Sequence, residues 1–203
     1  MAFKNTNKKY ALVGCDMLKI NEVVADTSES YTVGEGIDIA GLSSFSYNPN
    51  VATATMYGDD QVYDTAVGNG DLSVSVGVPD IFPELEALLY GHTYDAETGE
   101  LLKGDPNPKS VCIRLRLKKN NGAFRFITIF SAKASEGATD VSGKQGNVSF
   151  TSRVIDFLAA PILINKKWMR MVDSDDANVK LSESELMELW FGEDPIASLT
   201  ANV

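Results

Sequence analysis

The chain has 203 residues, 44% of them hydrophobic, and a formal net charge of −10. That length allows one domain with extensions or two small ones, with enough apolar material for a core. No run of about 18 apolar residues exists, which excludes a membrane-spanning helix. The N-terminus carries early charge but no apolar run of signal-peptide length, so the expectation is a chain made in, and staying in, a cytoplasm. Cys15 and Cys112 are then expected as free, buried thiols.

The charge is unevenly distributed. Residues 20–102 hold fifteen acids and no base, whereas residues 103–170 hold thirteen bases and four acids. Two readings stand open. The halves fold against each other and the charges mix, or one face is acidic and another basic and copies meet head to tail. An overall acidic chain does not carry the footprint of a nucleic-acid binder.

In chain order, residues 1–9 read as a polar arm. Residues 10–20 mix apolar and small side chains around Gly14 and read as a first strand. Residues 28–41 are interrupted by glycine, and residues 42–47 alternate weakly. Asn48-Pro49-Asn50 reads as a turn, residues 51–57 (VATATMY) as a β-branched strand, Gly58-Asp59-Asp60 as a break, and Gly68-Asn69-Gly70 as a second break. Residues 48–70 are therefore expected as one long loop or loose hairpin, a length that is usually functional.

The clearest switch of period follows. Leu72, Val74, Val76 and Val78 alternate as in a half-buried strand, and Ile81, Leu85, Leu88 and Leu89 then recur at helical spacing. A helix over residues 80–90 is predicted, with Asp80 as N-cap, Pro83 in the first turn and Gly91 as terminator. Residues 93–94 and 101–102 flank a turn. Val111, Ile113, Leu115 and Leu117 alternate with Cys112, Arg114 and Arg116. Asn120-Asn121-Gly122 supplies a tight reversal, and FRFITIF at 124–130 returns as its partner strand. A loop is expected over 137–146, a strand over 147–155 with Val148, Phe150, Ser152 and Val154 on one face, and a last extended stretch over 162–172.

Residues 173–178 read as an acidic linker. Ser182-Glu183-Ser184-Glu185 is a capping box, with Leu181 and Leu186 spaced for a hydrophobic staple, and a helix over 183–191 is stopped by Gly192. Its Leu186, Leu189 and Trp190 need a surface to cover. The expected division is a β-sandwich domain over 1–172 and an acidic extension over 173–203.

Signals for chemistry are weak. His92 is the single histidine and reads as an exposed loop residue, so zinc ligation has no ligand set. There is no GxSxG elbow, no phosphate-binding glycine loop and no complete calcium loop in DSDDANVKLSES. No catalytic residue, cofactor or metal is expected, and the chain is not read as an enzyme.

Three stretches taken in order, MYGDDQVYDTAVGNGDLSVSVGVPDIFPELEALLYG, NGAFRFITIFSAKAS and GNVSFTSRVIDFLAAP, resemble the major tail proteins of long, flexible-tailed bacteriophages. The resemblance spans residues 10–161, and residues 173–203 depart from the family's pattern. It implies a mainly β fold, a β-sandwich flanked by one helix, whose subunits form hexameric rings. Those rings stack into a virion tail tube, assembled in the host cytoplasm, through which DNA passes without specific binding. It also implies that arms and a long loop bridge subunits, and that the tape measure, terminator and distal tail proteins are partners. Candidate interface residues are Met56, Tyr57, Asp59, Asp60, Val62 and Asp64 in the long loop, Lys118 and Lys119 at the hairpin tip, and Leu186, Leu189 and Trp190 on the last helix. The alternative is a β-sandwich module that recognises carbohydrate or a receptor through exposed aromatic residues.

Overall fold

The structure, a computed structural model, describes residues 10–138 and 152–192. Along them run β1 (Leu12–Asp26), β2 (Tyr31–Ile39), β3 (Ser44–Gly58), β4 (Gln61–Val78), α1 (Pro83–Tyr90), β5 (Thr93–Tyr94), β6 (Leu101–Leu102), β7 (Val111–Lys119), β8 (Phe124–Ser135), β9 (Arg153–Ala159), β10 (Met169–Asp173) and α2 (Glu183–Phe191). The fold is mainly β. One antiparallel sheet runs β2-β1-β7-β8-β9-β4-β3, and β10 pairs with β8 alongside. β8 serves two neighbours on one edge because it is long: Arg125–Ile129 pair with β10 and Ala132–Ser135 with β9.

The sheet doubles over on itself. Leu18 and Ile20 of β1 and Ile113 and Leu115 of β7 share one cluster with Val74 and Val76 of β4 and Ile155 and Phe157 of β9. The inward side of each strand is the apolar side of its period-2 pattern, so closing the two halves buries both at once. α1 adds Leu85 and Leu89, both fully buried, to the same cluster. Each such side chain contributes about 1.5–3 kcal/mol by leaving water.

α1 starts later than expected. Phe82 precedes Pro83, and a residue before proline is kept out of the helical region, so Phe82 is extended (φ −74, ψ 155) and becomes the cap residue. Asp80 does not cap; its carboxylate accepts from the Ile81 N–H at 2.8 Å. Gly91 ends the helix in the left-handed region (φ 75), as its sequence position indicates.

Several expected breaks are strand. Residues 48–50 do not turn and residues 68–70 do not break: β3 and β4 run straight through both. Pro49 is tolerated because β3 is the sheet's edge strand, where no neighbour needs its missing N–H. Pro49 pairs with Leu72 and Val51 with Asn69, so β4 carries one extra residue there, a bulge. Gly70 sits in it so close to the Asn50 carbonyl that a Cβ has no room.

Other boundaries also move. The first strand runs to Asp26 rather than Ile20, with a bulge at Met17 (φ 51). The glycine-interrupted stretch after it is the edge strand β2. Residues 147–151, most of the loop over 137–146 and the arm over 1–9 lie outside the described residues. The described part of the following strand has the opposite face inward: Ile155, Phe157 and Ala159 are buried while Val154 is exposed. Residues 162–172 are not one extended stretch. A turn at 163–165 and Lys166 (φ 57) precede β10, which has five residues. Both cysteines are free, and burial pushes the Cys112 thiol up to about 11.

Candidate functional site

β3 and β4 continue beyond the sheet as a two-stranded hairpin. β9 pairs with β4 over Leu72–Val78 and no further. Beyond the bulge, Val51 to Gly58 pair with Asn69 to Gln61 and with no other strand. Seven rises of about 3.4 Å make this arm roughly 24 Å long. β-branched residues favour the pleat: Thr53 faces Val67 and Thr55 faces Thr65. Asp59 and Asp60 form the tip, both at positive φ (50 and 58), the geometry of a turn whose twist matches the strands. Aspartate tolerates that region better than most residues do.

The arm's apolar side chains are not covered by their own chain. Tyr57 is 70% exposed and Tyr63 77%, and Val51, Met56, Val62 and Val67 are exposed with them. An isolated two-stranded hairpin is marginal in water, and clustered exposed apolar residues mark an interaction surface. Its charges, Asp59, Asp60 and Asp64, are all negative. The structure therefore gathers Met56, Tyr57, Asp59, Asp60, Val62 and Asp64 on one projecting element. Sequence reasoning missed Tyr63. Tyr63 is the extra residue at the register shift between the Met56/Asp64 and Tyr57/Val62 pairs, a bulge that no local pattern announces.

The other candidates are placed elsewhere. Lys119 is not a free tip residue: its side chain is fully buried, with Nζ 2.9 Å from Asp173 Oδ2 and 2.5 Å from Asp175 Oδ1. Nζ also lies 4.0 Å from the centroid of the Tyr10 ring. Burial works against its charge, yet the two carboxylates hold its pKa above the usual lysine value. Lys118 is half-exposed and pairs with Asp16 at 3.0 Å. These lysines answer acids of their own chain because β1 and the end of β10 flank the β7–β8 turn.

Asp173 and Asp175 are likewise not a linker. Asp173 ends β10 and receives a bidentate pair from Arg125, Nε to Oδ1 at 2.6 Å and Nη2 to Oδ2 at 2.9 Å. Arg125 first, and Lys119 with it, hold the Asp173 carboxyl down at about 2. The boundary expected at 172/173 thus falls within a strand.

α2 carries the predicted capping box. Ser182 Oγ accepts from the Glu185 N–H at 3.3 Å, and Glu185 accepts from the Ser182 N–H at 2.7 Å. Leu181 stays exposed while Leu186 and Trp190 pack on Phe126 of β8. Leu186 and Trp190 are buried in their own fold, and Leu189 is half-buried beside them, so this stripe is not an open docking face. The sheet also caps the helix. Arg114 Nη1 donates to the Trp190 carbonyl at 2.7 Å and Lys19 Nζ to the Phe191 carbonyl at 3.0 Å, placing cations at the negative end of the helix. Arg114 is buried, and it donates to Asn21 Oδ1 and to the Gly192 carbonyl as well.

His92 is not exposed. Its side chain is 1% accessible, and Nε2 lies 3.1 Å from Glu136. Among the described residues no group of three or more His, Cys, Asp or Glu is placed to hold a metal ion. No helix among them is long and apolar enough to cross a membrane. Neither a protein-family model nor a curated protein sequence matches the chain.

Proposed function

We propose that the chain is a structural subunit that assembles with copies of itself, and that it is the tail-tube subunit of a long-tailed bacteriophage. The observation that carries the reading is the β3–β4 arm. It is an ordered two-stranded element with six exposed apolar side chains and a purely acidic tip, reaching about 24 Å past the sheet. A neighbouring subunit that covers the arm supplies what its own chain lacks. β2 and β3 end the sheet path and each has one unpaired edge, which neighbours in a ring would cover. Stacked rings would carry DNA through the lumen without binding it, because unpaired acids repel phosphate. Tape measure, terminator and distal tail proteins are the expected partners at the ends, in the virion.

Val51 and Asn69 are register partners, so a two-residue Asn-Gly turn can join them and delete the arm beyond. Sedimentation at rising concentration then compares the two proteins. The reading expects large assemblies from the full chain and a folded monomer from the shortened one. A full chain that stays monomeric at high concentration, with initiating tail proteins added, overturns it. The carbohydrate-binding alternative rests on Tyr57 and Tyr63. It expects a monomer that binds glycans through those two side chains.

A further inference from the structure

The β7–β8 turn carries chemistry of its own. The chain holds two Asn-Gly pairs, Asn69-Gly70 and Asn121-Gly122. In such a pair the glycine has no β carbon to hinder its own nitrogen, so that nitrogen can close on the asparagine side-chain carbon. The two pairs stand in different backbones. Asn69 is paired with Val51 in the β3–β4 ladder. Asn121 and Gly122 are exposed at a tight turn, with Gly122 in the left-handed region (φ 82). Three hydrogen bonds fix the reacting groups there. The Gly122 N–H donates to the Lys119 carbonyl at 3.2 Å, and Asn121 Oδ1 accepts from the Ala123 N–H at 3.2 Å. Asn121 Nδ2 donates to Asp175 Oδ2 at 3.0 Å. The first two bonds are local to the turn. The third ties the amide to a carboxylate 54 residues away, whose other oxygen holds the buried Lys119.

We propose that Asn121 is a site of spontaneous covalent modification, in which its side-chain amide becomes a carboxylate, and that the bond to Asp175 restrains it. The Gly122 nitrogen bonds to Asn121 Cγ and gives up its proton. The Cγ–Nδ2 bond breaks, and ammonia leaves with that proton. Water then opens the cyclic imide at one of its two carbonyls. One product is aspartate at 121; the other carries the main chain through the side-chain carboxyl, an isoaspartate. No oxidant, reductant or cofactor enters. For Cγ to meet the nitrogen, the side chain must swing off Asp175 and the Gly122 N–H must leave the Lys119 carbonyl. Asp175 therefore acts on the step directly. It also gives the product its consequence. The new carboxylate stands where the amide donated, against Asp175, and shares with Asp173 and Asp175 the one buried Lys119. The same turn fastens the entry to β1: the Ala11 N–H donates to Asn120 Oδ1 at 3.0 Å, and the Asn120 N–H to the Ala11 carbonyl at 2.9 Å. Modification at Asn121 loosens that fastening.

The test incubates the full chain at mildly alkaline pH and maps its peptides by mass spectrometry, following both Asn-Gly pairs in one sample. The expected result is conversion at Asn121 to a mixture of aspartate and isoaspartate. In Asp175→Ala that conversion runs about tenfold faster, the effect of removing one hydrogen bond to a charged group, while the Asn69 rate stays as it was. Lys119 keeps Asp173 in this variant, so the turn retains an anchor. Asn69 is the internal control, because a chain that has merely come apart speeds both pairs together. An Asn121 that stays intact in both proteins, equal Asn121 rates in both, or a rise shared by Asn69 overturns the inference. Asn121→Asp, made directly, reads the consequence. Its unfolding equilibrium in urea rises about tenfold, and the Ala11 amide exchanges faster with solvent. Asp175→Asn in the same chain recovers most of that loss, because donor and acceptor have changed places. An Asn121→Asp chain as stable as the original overturns the coupling to the Lys119 cluster. Every readout uses dilute, single-copy protein and is independent of assembly.

Discussion

Trp190→Ala measures whether α2 belongs to its own fold. Trp190 is 2% exposed, its ring centroid is 5.7 Å from that of Phe126, and the Arg170 guanidinium lies 4.1 Å from it. Truncating a buried tryptophan costs about 3–5 kcal/mol, the lost aromatic pair and cation–π contact included. Release of α2 offers no cheap escape. It would uncover Phe126 and leave the Arg114 guanidinium without the Trp190 carbonyl it donates to. A nine-residue helix is also marginal once detached. The loss should therefore reach global stability: about 3 kcal/mol or more in urea, and a melting temperature lower by roughly 6–15 °C for a domain of this size. The assay is denaturation of dilute, single-copy protein, followed by far-UV circular dichroism and by the fluorescence of Trp168, which packs against the main core. A loss below about 1 kcal/mol refutes docking on its own sheet. A loss seen only at concentrations where the protein assembles places the helix on a neighbour instead.

Three further outcomes follow from particular contacts. Asp173 has its folded pKa depressed to about 2, so its stabilisation is complete above the unfolded value near 4 and disappears as pH falls through 2. Asp173→Asn should lose about 2 kcal/mol at neutral pH and flatten the acid limb of a stability–pH curve between 4 and 2. Lys119→Glu places a third carboxylate against Asp173 and Asp175 at a position whose side chain is fully buried. It should cost about 3 kcal/mol or more in urea denaturation, before any effect on assembly is read. Gly91→Ala meets both a positive φ and the Asn107 carbonyl, and should lower stability by about 2 kcal/mol or more in the same assay.

How much was legible in the sequence varied with how local the cause was. The β7–β8 hairpin was readable because Val111, Ile113, Leu115 and Leu117 alternate strictly and Asn121-Gly122 supplies the turn. The α2 capping box was readable because Ser182 and Glu185 satisfy each other's backbone within four residues. Pro49 and Gly70 misled because their tolerance depends on β3 being an edge strand and β4 bulging beside it, and neither fact is local. The inward face of β9 is not legible in the sequence because Val154 is as apolar as Ile155, and only β4 and β8 decide which points into the core. The start of α1 was set by Pro83 acting on Phe82, a local effect that the Asp80 cap signal masked. Of the site, the acidic arm and its apolar residues were visible as a list but not as a single projecting hairpin. Lys119, Leu186 and Trp190 looked available because their partners, Asp173, Asp175 and Phe126, are distant in sequence. Of the acids at 20–102, Glu86 meets Lys103 and Arg153, and Glu22 meets Lys109, inside the chain.

The central claim is that copies of this chain assemble through the β3–β4 arm. Negative-stain imaging of the concentrated full chain beside the arm-shortened chain tests it most directly. The account predicts rings or stacked tubes from the full chain and separate, compact particles from the shortened one. Separate particles from both, or tubes from both, would contradict it.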